Sequence, residues 1–384
     1  MAATRPWARV REILFVAGEV SGELHAAGVA RELTALGAPF RLVGVGGDRM
    51  AAEGVALIEH VSRLSVMGFV EPLKRLPKFY RLRRALAARI RSGNVALVIL
   101  VDSAGFNMRI AEIAAAANVP VLYYITPQVW ASRAGRLRQL ARTVTAAAVI
   151  LPFEEQLLRE HGVRATFVGH PLLDLTADLP ERDEARRQIG ADVIAPLLVL
   201  FPGSRRQEVA RHLGPFVEAA RTLQQRHPNL QVVVSAAPHV GIDRAVCPFP
   251  IVRSASFTLL RAADAALCKS GTTTLEAAVA LCPMVVAYRT DALTYALARR
   301  LVKIPFIGLV NVLAGREIAR EFVQGALEPL AVADALEPLL DHHSPARAAM
   351  VGELRAVRES LGAPGAARRV AAMALDLAQG GTTS

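Results

Sequence analysis

The sequence predicts an α/β protein built on parallel sheets with helices on both faces. Three observations carry this. Short apolar runs alternate with longer amphipathic stretches along the whole chain. Some of the runs, Val95–Val101 above all, are unbroken Val/Ile/Leu segments of the kind that parallel sheets bury on both faces. The alternation also stops at a polar segment, residues 174–195, and then begins again. In 384 residues such a restart gives two successive domains of similar design, whose facing strand ends would leave a ligand-binding cleft.

In the first half, strands are expected at Glu12–Ala17, 40–45, Val95–Val101, 120–124, 147–151 and 165–168. Each is short and rich in Val, Ile, Leu or Ala, and all but 120–124 are followed directly by Gly, Pro or Asp. The second half supplies strands at 196–201, 230–235, 263–267 and Met284–Tyr288. Residues 174–195 carry Pro180 and many charges but no strand pattern, so they mark the junction. Residues 331–377 are Ala- and Arg-rich and helical. The resulting division is 1–175, 176–340 and a helical tail over 341–384.

Composition narrows the class. Hydrophobic residues make up 53% and charged residues 21%, which excludes a disordered or collagen-like chain. Mean hydropathy is +0.32, yet no stretch reaches the roughly 18–20 apolar residues of a membrane-spanning helix. The apolar run after the N-terminus leads directly into a Gly-rich turn and reads as a core strand, not an export signal. Cys247, Cys268 and Cys282 show no metal or disulfide spacing, so they read as buried small residues in a reducing, cytoplasmic compartment. A net charge of +11 points to an anionic partner: nucleic acid, a nucleotide or an acidic membrane surface.

Four segments carry chemistry. Residues 15–23 form a Gly-rich turn between a strand and a helix, with Ser21, Glu19 and Glu23 beside it. It matches neither the dinucleotide fingerprint nor the Walker loop. Residues 64–86 interleave Val66, Met67, Phe69, Phe79 and Tyr80 with base, and 74–91 hold eight basic residues and no acid. This reads as a segment lying on an anionic bilayer, or as an ordinary helix with a solvated basic face; no nucleic acid is expected as partner, since no recognised module accompanies the charge. The third segment, Phe201-Pro202-Gly203-Ser204-Arg205-Arg206, joins a strand to a helix and offers two guanidinium groups to phosphate oxygens. The fourth, Ser270-Gly271-Thr272-Thr273, is a hydroxyl-rich turn into a second helix, with Glu276 one turn further in to accept from ribose hydroxyls. Two anion turns in one domain favour a nucleotide-sugar. The chain has no Asp-x-Asp pair, so amides and arginines are expected to meet the diphosphate without a metal or other cofactor.

At these segments the chain resembles the lipid-A-disaccharide synthase family. The resemblance is carried by AGEVSGE at 17–23, VGVGGDRMAAEG at 43–54, LSVMGFVEPLKRLP at 64–77, TPQVWA at 126–131 and LPFEEQLLREHGVRATFVGHPLLD at 151–174. It continues through FPGSRRQEV at 201–209, SGTTTLEAA at 270–278, PMVVAYR at 283–289 and LARRLVKIPFIGLVNVLAGREI at 297–318. It implies a GT-B fold, two Rossmann-like domains facing across a cleft with C-terminal helices. The implied reaction is inverting transfer of 2,3-diacylglucosamine from UDP to the 6-hydroxyl of 2,3-diacylglucosamine 1-phosphate, giving the β-1,6 disaccharide of lipid A biosynthesis. It further implies that Asn311, Arg316 and Glu317 help hold the nucleotide. A peripheral place on the inner face of the inner membrane and a homodimer that exchanges C-terminal helices follow from the same resemblance.

The departures fall in the first half. Glu23 stands where the family has Asp, Gly105 where a motif Asp is the favoured general base, and Ser132 where the family has Trp. Inverting transfer needs a base beside the attacking hydroxyl. Asp102 is the foremost remaining acid, with Glu19, Glu23 and His25 as local substitutes, although Asp102 also reads as a simple helix cap. His170 stands at the domain crossing, to touch the sugar or brace the hinge. Two other functions stay open: a UDP-sugar transferase with another acceptor, and a silent UDP-sugar or lipid-binding homologue.

Overall fold

The computed structural model describes residues 10–18, 20–63, 72–128, 134–176, 179–238, 240–253, 255–292, 294–296 and 305–380. They form two units. Met1–Pro171 with Gly362–Ser384 make the first, and Leu172–Leu361 the second.

The first unit runs β1 (Glu12–Ala17), α1 (Val20–Ala35), β2 (Arg41–Gly46), α2 (Asp48–Ala52), β3 (Ala56–His60), α3 (Pro72–Arg91), β4 (Val95–Val101), α4 (Ala104–Ala116), β5 (Val121–Tyr124), α5 (Ala134–Thr143), β6 (Ala146–Val149), α6 (Pro152–Glu160) and β7 (Ala165–Phe167). Its parallel sheet has the order β3-β2-β1-β4-β5-β6-β7, so the winding direction reverses between β1 and β4. Every residue of β1 and β4 is buried, which explains the unbroken apolar sequence of β4 and of β1 from Ile13 on, while the buried Glu12 pairs with Arg89. Leu82, Leu86 and Ile90 of α3 and Met108 and Ile110 of α4 cover one face. The other face is covered by α1, through Ala26, Val29, Ala30 and Leu33, and by a helix from the far end of the chain.

The second unit runs α7 (Arg182–Ile189), β8 (Leu197–Phe201), α8 (Arg206–Arg226), β9 (Gln231–Ser235), β10 (Ile251–Val252), α9 (Ser256–Ala262), β11 (Ala265–Lys269), α10 (Thr272–Ala280), β12 (Met284–Tyr288), α11 (Leu309–Ala314), β13 (Glu321–Val323), α12 (Pro329–Leu340) and α13 (Pro345–Ser360). Its sheet has the order β10-β9-β8-β11-β12-β13, with the reversal between β8 and β11. The polar segment 174–195 contains α7, which packs on α9. Arg186 of α7 is fully buried and donates to Asp264 Oδ2 at 2.7 Å and to the carbonyls of Ala262 and Ala195. Asp264 also accepts from the Leu197 amide at 2.8 Å. Burying this pair is sustained by the hydrogen bonds around it, not by the charge alone.

α14 (Ala366–Gln379) closes the first unit by packing on α1 and β4. Among the described residues, no helix is long and apolar enough to cross a membrane.

Candidate functional site

Ligands of open α/β sheets sit beyond the carboxyl ends of the strands, where the winding reverses. In the second unit that point lies between β8 and β11, and two of the four segments read from the sequence begin there. Gly203 holds φ at +129°, and a Cβ added to it would lie 2.5 Å from Glu208 Cβ. Only glycine fits this turn. Ser204, Arg205 and Arg206 are exposed around it. The Ser204 and Arg205 amides donate to Glu208 Oε2 at 3.0 and 3.2 Å. Burial opposes the charge of Glu208, but the Lys269 ammonium, the Ser204 amide and the Arg205 charge hold its carboxyl below the usual range.

The second turn ends β11. The Ser270 hydroxyl donates to the Ile307 carbonyl at 2.7 Å, and Gly271 caps α10. Thr272 is exposed and Thr273 half-buried. First-turn helix amides project from the N-terminal end; in α10 the Thr274 amide turns back to the Gly271 carbonyl at 3.1 Å, so Thr272 and Thr273 supply the projecting ones. Glu276 is half-buried one turn in. Burial pushes its carboxyl up, and a hydrogen bond with Ser256 works the other way.

Asn311, which the resemblance places at the nucleotide, bonds within its own unit. It is fully buried, donates to the Ala319 carbonyl and to Glu321 Oε1, and accepts from the Ile318 and Ala319 amides. All of its amide bonding capacity is therefore used within the connection from α11 to β13. Glu321 accepts in turn from the Ile307 and Gly308 amides, so Asn311 reaches Ser270 only through peptide 307. Arg316 pairs with Glu353 of α13, and Glu317 accepts from the Glu321 amide. In this geometry the three brace a loop.

In the first unit the reversal lies between β1 and β4, beside Asp102. Asp102 and Ser103 have φ of +53° and +47°, two consecutive left-handed residues that are not glycine. Asn107, fully buried, steadies the turn by donating to the Asp102 carbonyl at 2.8 Å and the Val101 carbonyl at 3.0 Å. Tyr123 Oη donates to the same Asp102 carbonyl. A Cβ on Gly18 would meet Ser103 Oγ at 2.3 Å, so the first Gly-rich turn closes directly on this strained one. Burial pushes the Asp102 carboxyl up, against a hydrogen bond from the Ser103 amide. At the end of the neighbouring strand β5, Ile125 also has a positive φ, +58°.

Three of the other acids and bases proposed from sequence have described surroundings of their own. Glu23 turns to α2 and accepts from the Arg49 amide at 2.8 Å. His25 meets the Tyr124 ring edge-on at 6.3 Å. His170 is buried, and burial, with His25 nearby, pulls its pKa down to about 3. Glu19 and residues 64–71 lie outside the described residues. The sequence reading gave no role to Lys269, Glu208, His212 or Asn107. Glu208 lies in the quoted motif of the arginines and Lys269 directly precedes that of the threonines; His212 and Asn107 act by burial, which motif spacing does not reveal.

The whole chain was compared with known proteins. A family model described as lipid-A-disaccharide synthetase matches residues 13–369. A lipid-A-disaccharide synthase of Trichlorobacter lovleyi is 39% identical over 99% of this chain and 100% of its own length. Among solved structures, the calicheamicin glycosyltransferase CalG4 superposes with a TM-score of 0.60 at 18% identity, covering 98% of this chain and 100% of that one. A ugt transferase from Siraitia grosvenorii in complex with UDP gives 0.60 at 14% identity, with 96% and 99% covered. The structural likenesses establish the fold, the two-unit GT-B type. The sequence likeness reaches further, across both sheets: the chain belongs to the lipid-A-disaccharide synthase family, glycosyltransferases of lipid A biosynthesis.

Proposed function

We propose that the chain transfers 2,3-diacylglucosamine from UDP to the 6-hydroxyl of 2,3-diacylglucosamine 1-phosphate, with inversion and without a metal. The observation that carries this reading is the pair of anion turns on adjacent central strands, 201–206 after β8 and 270–273 after β11. Arg205 and Arg206 with the first-turn amides of α10 meet the diphosphate as charge builds on it, and Glu276 takes the ribose. Asp102, lifted by burial and held by a strained turn, accepts the proton of the acceptor hydroxyl. A general base of raised pKa keeps proton affinity that a fully solvated aspartate lacks.

The basic helix α3 supports a place on an anionic membrane surface. Leu82, Leu86 and Ile90 face the core, while Tyr80, Arg81, Arg84 and Arg91 are exposed on the opposite side. A lipid-bearing acceptor reaches such a surface from the bilayer.

The test is UDP release by detergent-solubilised protein given UDP-2,3-diacylglucosamine, with and without the acceptor. Release should require the acceptor, and Asp102→Asn should lower kcat by about 10²–10⁴ with UDP affinity unchanged. Release without the acceptor points to another acceptor or to water. UDP binding without any release would mean that the chain is a silent binder.

A further inference from the structure

The first turn of α8 makes contacts that capping a helix does not require. Glu208 Oε2 takes the amides of the 201–206 turn, while Oε1 accepts from Lys269 Nζ at 3.0 Å, and an Arg205 guanidinium nitrogen lies 3.6 Å away. Lys269 is the last residue of β11. Its ammonium stands 5.7 Å from the centre of the Tyr288 ring on β12 and 3.6 Å from where a Cβ on Gly271 would be. Both partners are largely shielded, with side chains 16% and 17% exposed. One turn later the buried His212 donates from Nδ1 to the Glu208 carbonyl at 2.7 Å and accepts at Nε2 from the Arg289 amide at 2.8 Å. The start of α8 is thereby bonded to the carboxyl ends of β8, β11 and β12.

We propose that Glu208, acting through Lys269, is a positioning residue of the donor site: one ion pair sets the spacing between the two anion turns. The inference rests on the donor reading above. A lone carboxylate in the 201–206 turn would repel a diphosphate, whereas a carboxylate neutralised by Lys269 orients the turn without adding net charge. The backbone is shaped for this arrangement, since a side chain at position 203 would collide with Glu208 Cβ. The pair touches the loops, not the reacting atoms.

Calorimetric titration of the full chain with UDP separates the possibilities, using wild type, Lys269→Met, Glu208→Gln, the double variant, Lys269→Arg and, as an independent probe of the donor site, Arg205→Ala. Each of Lys269→Met and Glu208→Gln should weaken UDP binding about tenfold, and the double variant should be no weaker than either, because both remove one coupled pair. Lys269→Arg, which keeps the pair, should stay within about threefold of wild type. Additive losses approaching a hundredfold would show Lys269 acting on UDP by itself and overturn the proposal. Tighter binding by Glu208→Gln would show the carboxylate competing with phosphate, with the same consequence. Unchanged affinity with a lowered melting temperature would reduce the pair to a structural role. Should Glu208→Gln not fold, the Lys269 arm decides: weakening by Met and recovery by Arg supports the pair, and no weakening overturns it. A wild type that does not bind UDP, or an Arg205→Ala variant that binds it unchanged, would instead bring down the donor reading, and the inference with it.

Discussion

At the scale of single residues, Gly105, where the resemblance implies an acid, is the most testable position. Gly105 is the second residue of α4, and a Cβ there meets nothing within 4 Å. An aspartate is sterically free at this position, and at a helix N-terminus it gains about 0.3–1 kcal/mol from the dipole. Gly105→Asp is therefore expected to raise the melting temperature slightly. Placed on the Asp102→Asn background, it should return part of the lost kcat; a stable double variant with no recovery would place the base outside this turn. His170 supplies a pH prediction. Its pKa falls to about 3 in the folded chain, against about 6.5 when unfolded. The folded state thus binds fewer protons, so the contribution of the neutral ring is complete above pH 6.5 and is lost as pH falls toward 3. Between pH 6.5 and 5 that amounts to about 2 kcal/mol. His170→Gln should flatten the stability profile in this window, measured by urea unfolding, and equal slopes for the two proteins would refute the assignment. Asp102 was legible as a strand-end acid, but its strained backbone was not: nothing in Asp-Ser-Ala-Gly signals two left-handed residues, which Asn107 and Tyr123 impose from a distance.

At the scale of elements, every central strand was readable, and of the four edge strands only β7 was. β1, β4 and β12 lie where the apolar runs predict them. The strands absent from the sequence expectation, β3, β10 and β13, are all at sheet edges and have five, two and three residues. An edge strand is covered on fewer sides, so its sequence need not be apolar throughout, and strands this short carry no period. The amphipathic signal of α3 was readable as well, though the choice between a bilayer-facing and a merely solvated basic face was not. The structure adds the outward register of Tyr80, Arg81 and Arg84, with the Arg83 guanidinium 5.2 Å from the Tyr80 ring. Each basic residue near an anionic surface contributes about 1 kcal/mol. Replacing Arg81 and Arg84 by alanine should therefore cost roughly 30-fold in binding to vesicles containing phosphatidylglycerol at low salt, and less at high salt. Co-sedimentation reads this directly. Equal binding by variant and wild type would leave α3 as a solvated helix.

At the scale of the whole molecule, the chain leaves its first unit after Pro171 and re-enters it at Gly362. The sequence reads the final stretch as helical and Ala- and Arg-rich, yet such a pattern is a local property and cannot say which surface the helix covers. The answer lies some 350 positions back along the chain: Val370, Ala371, Ala374 and Leu377 join the core of Ala26, Val29, Ala30 and Leu33. Small residues on both helices permit the approach, with Gly28 facing Ala367. Arg369 secures the end of the sheet by donating to the Val168 carbonyl at 2.8 Å. Burial of Val370 and Leu377 alone is worth about 1.5–3 kcal/mol each before ordering costs, a large share of the stability of one domain. A chain ending at Leu361 should consequently lose protection in the first unit and keep it in the second. Hydrogen exchange should quicken in α1 and β4, while β8 and β11 exchange as in the full chain. Uniform loss across both sheets would mean that the units do not unfold independently. Unchanged protection of β4 would mean that α14 covers the first unit without stabilising it.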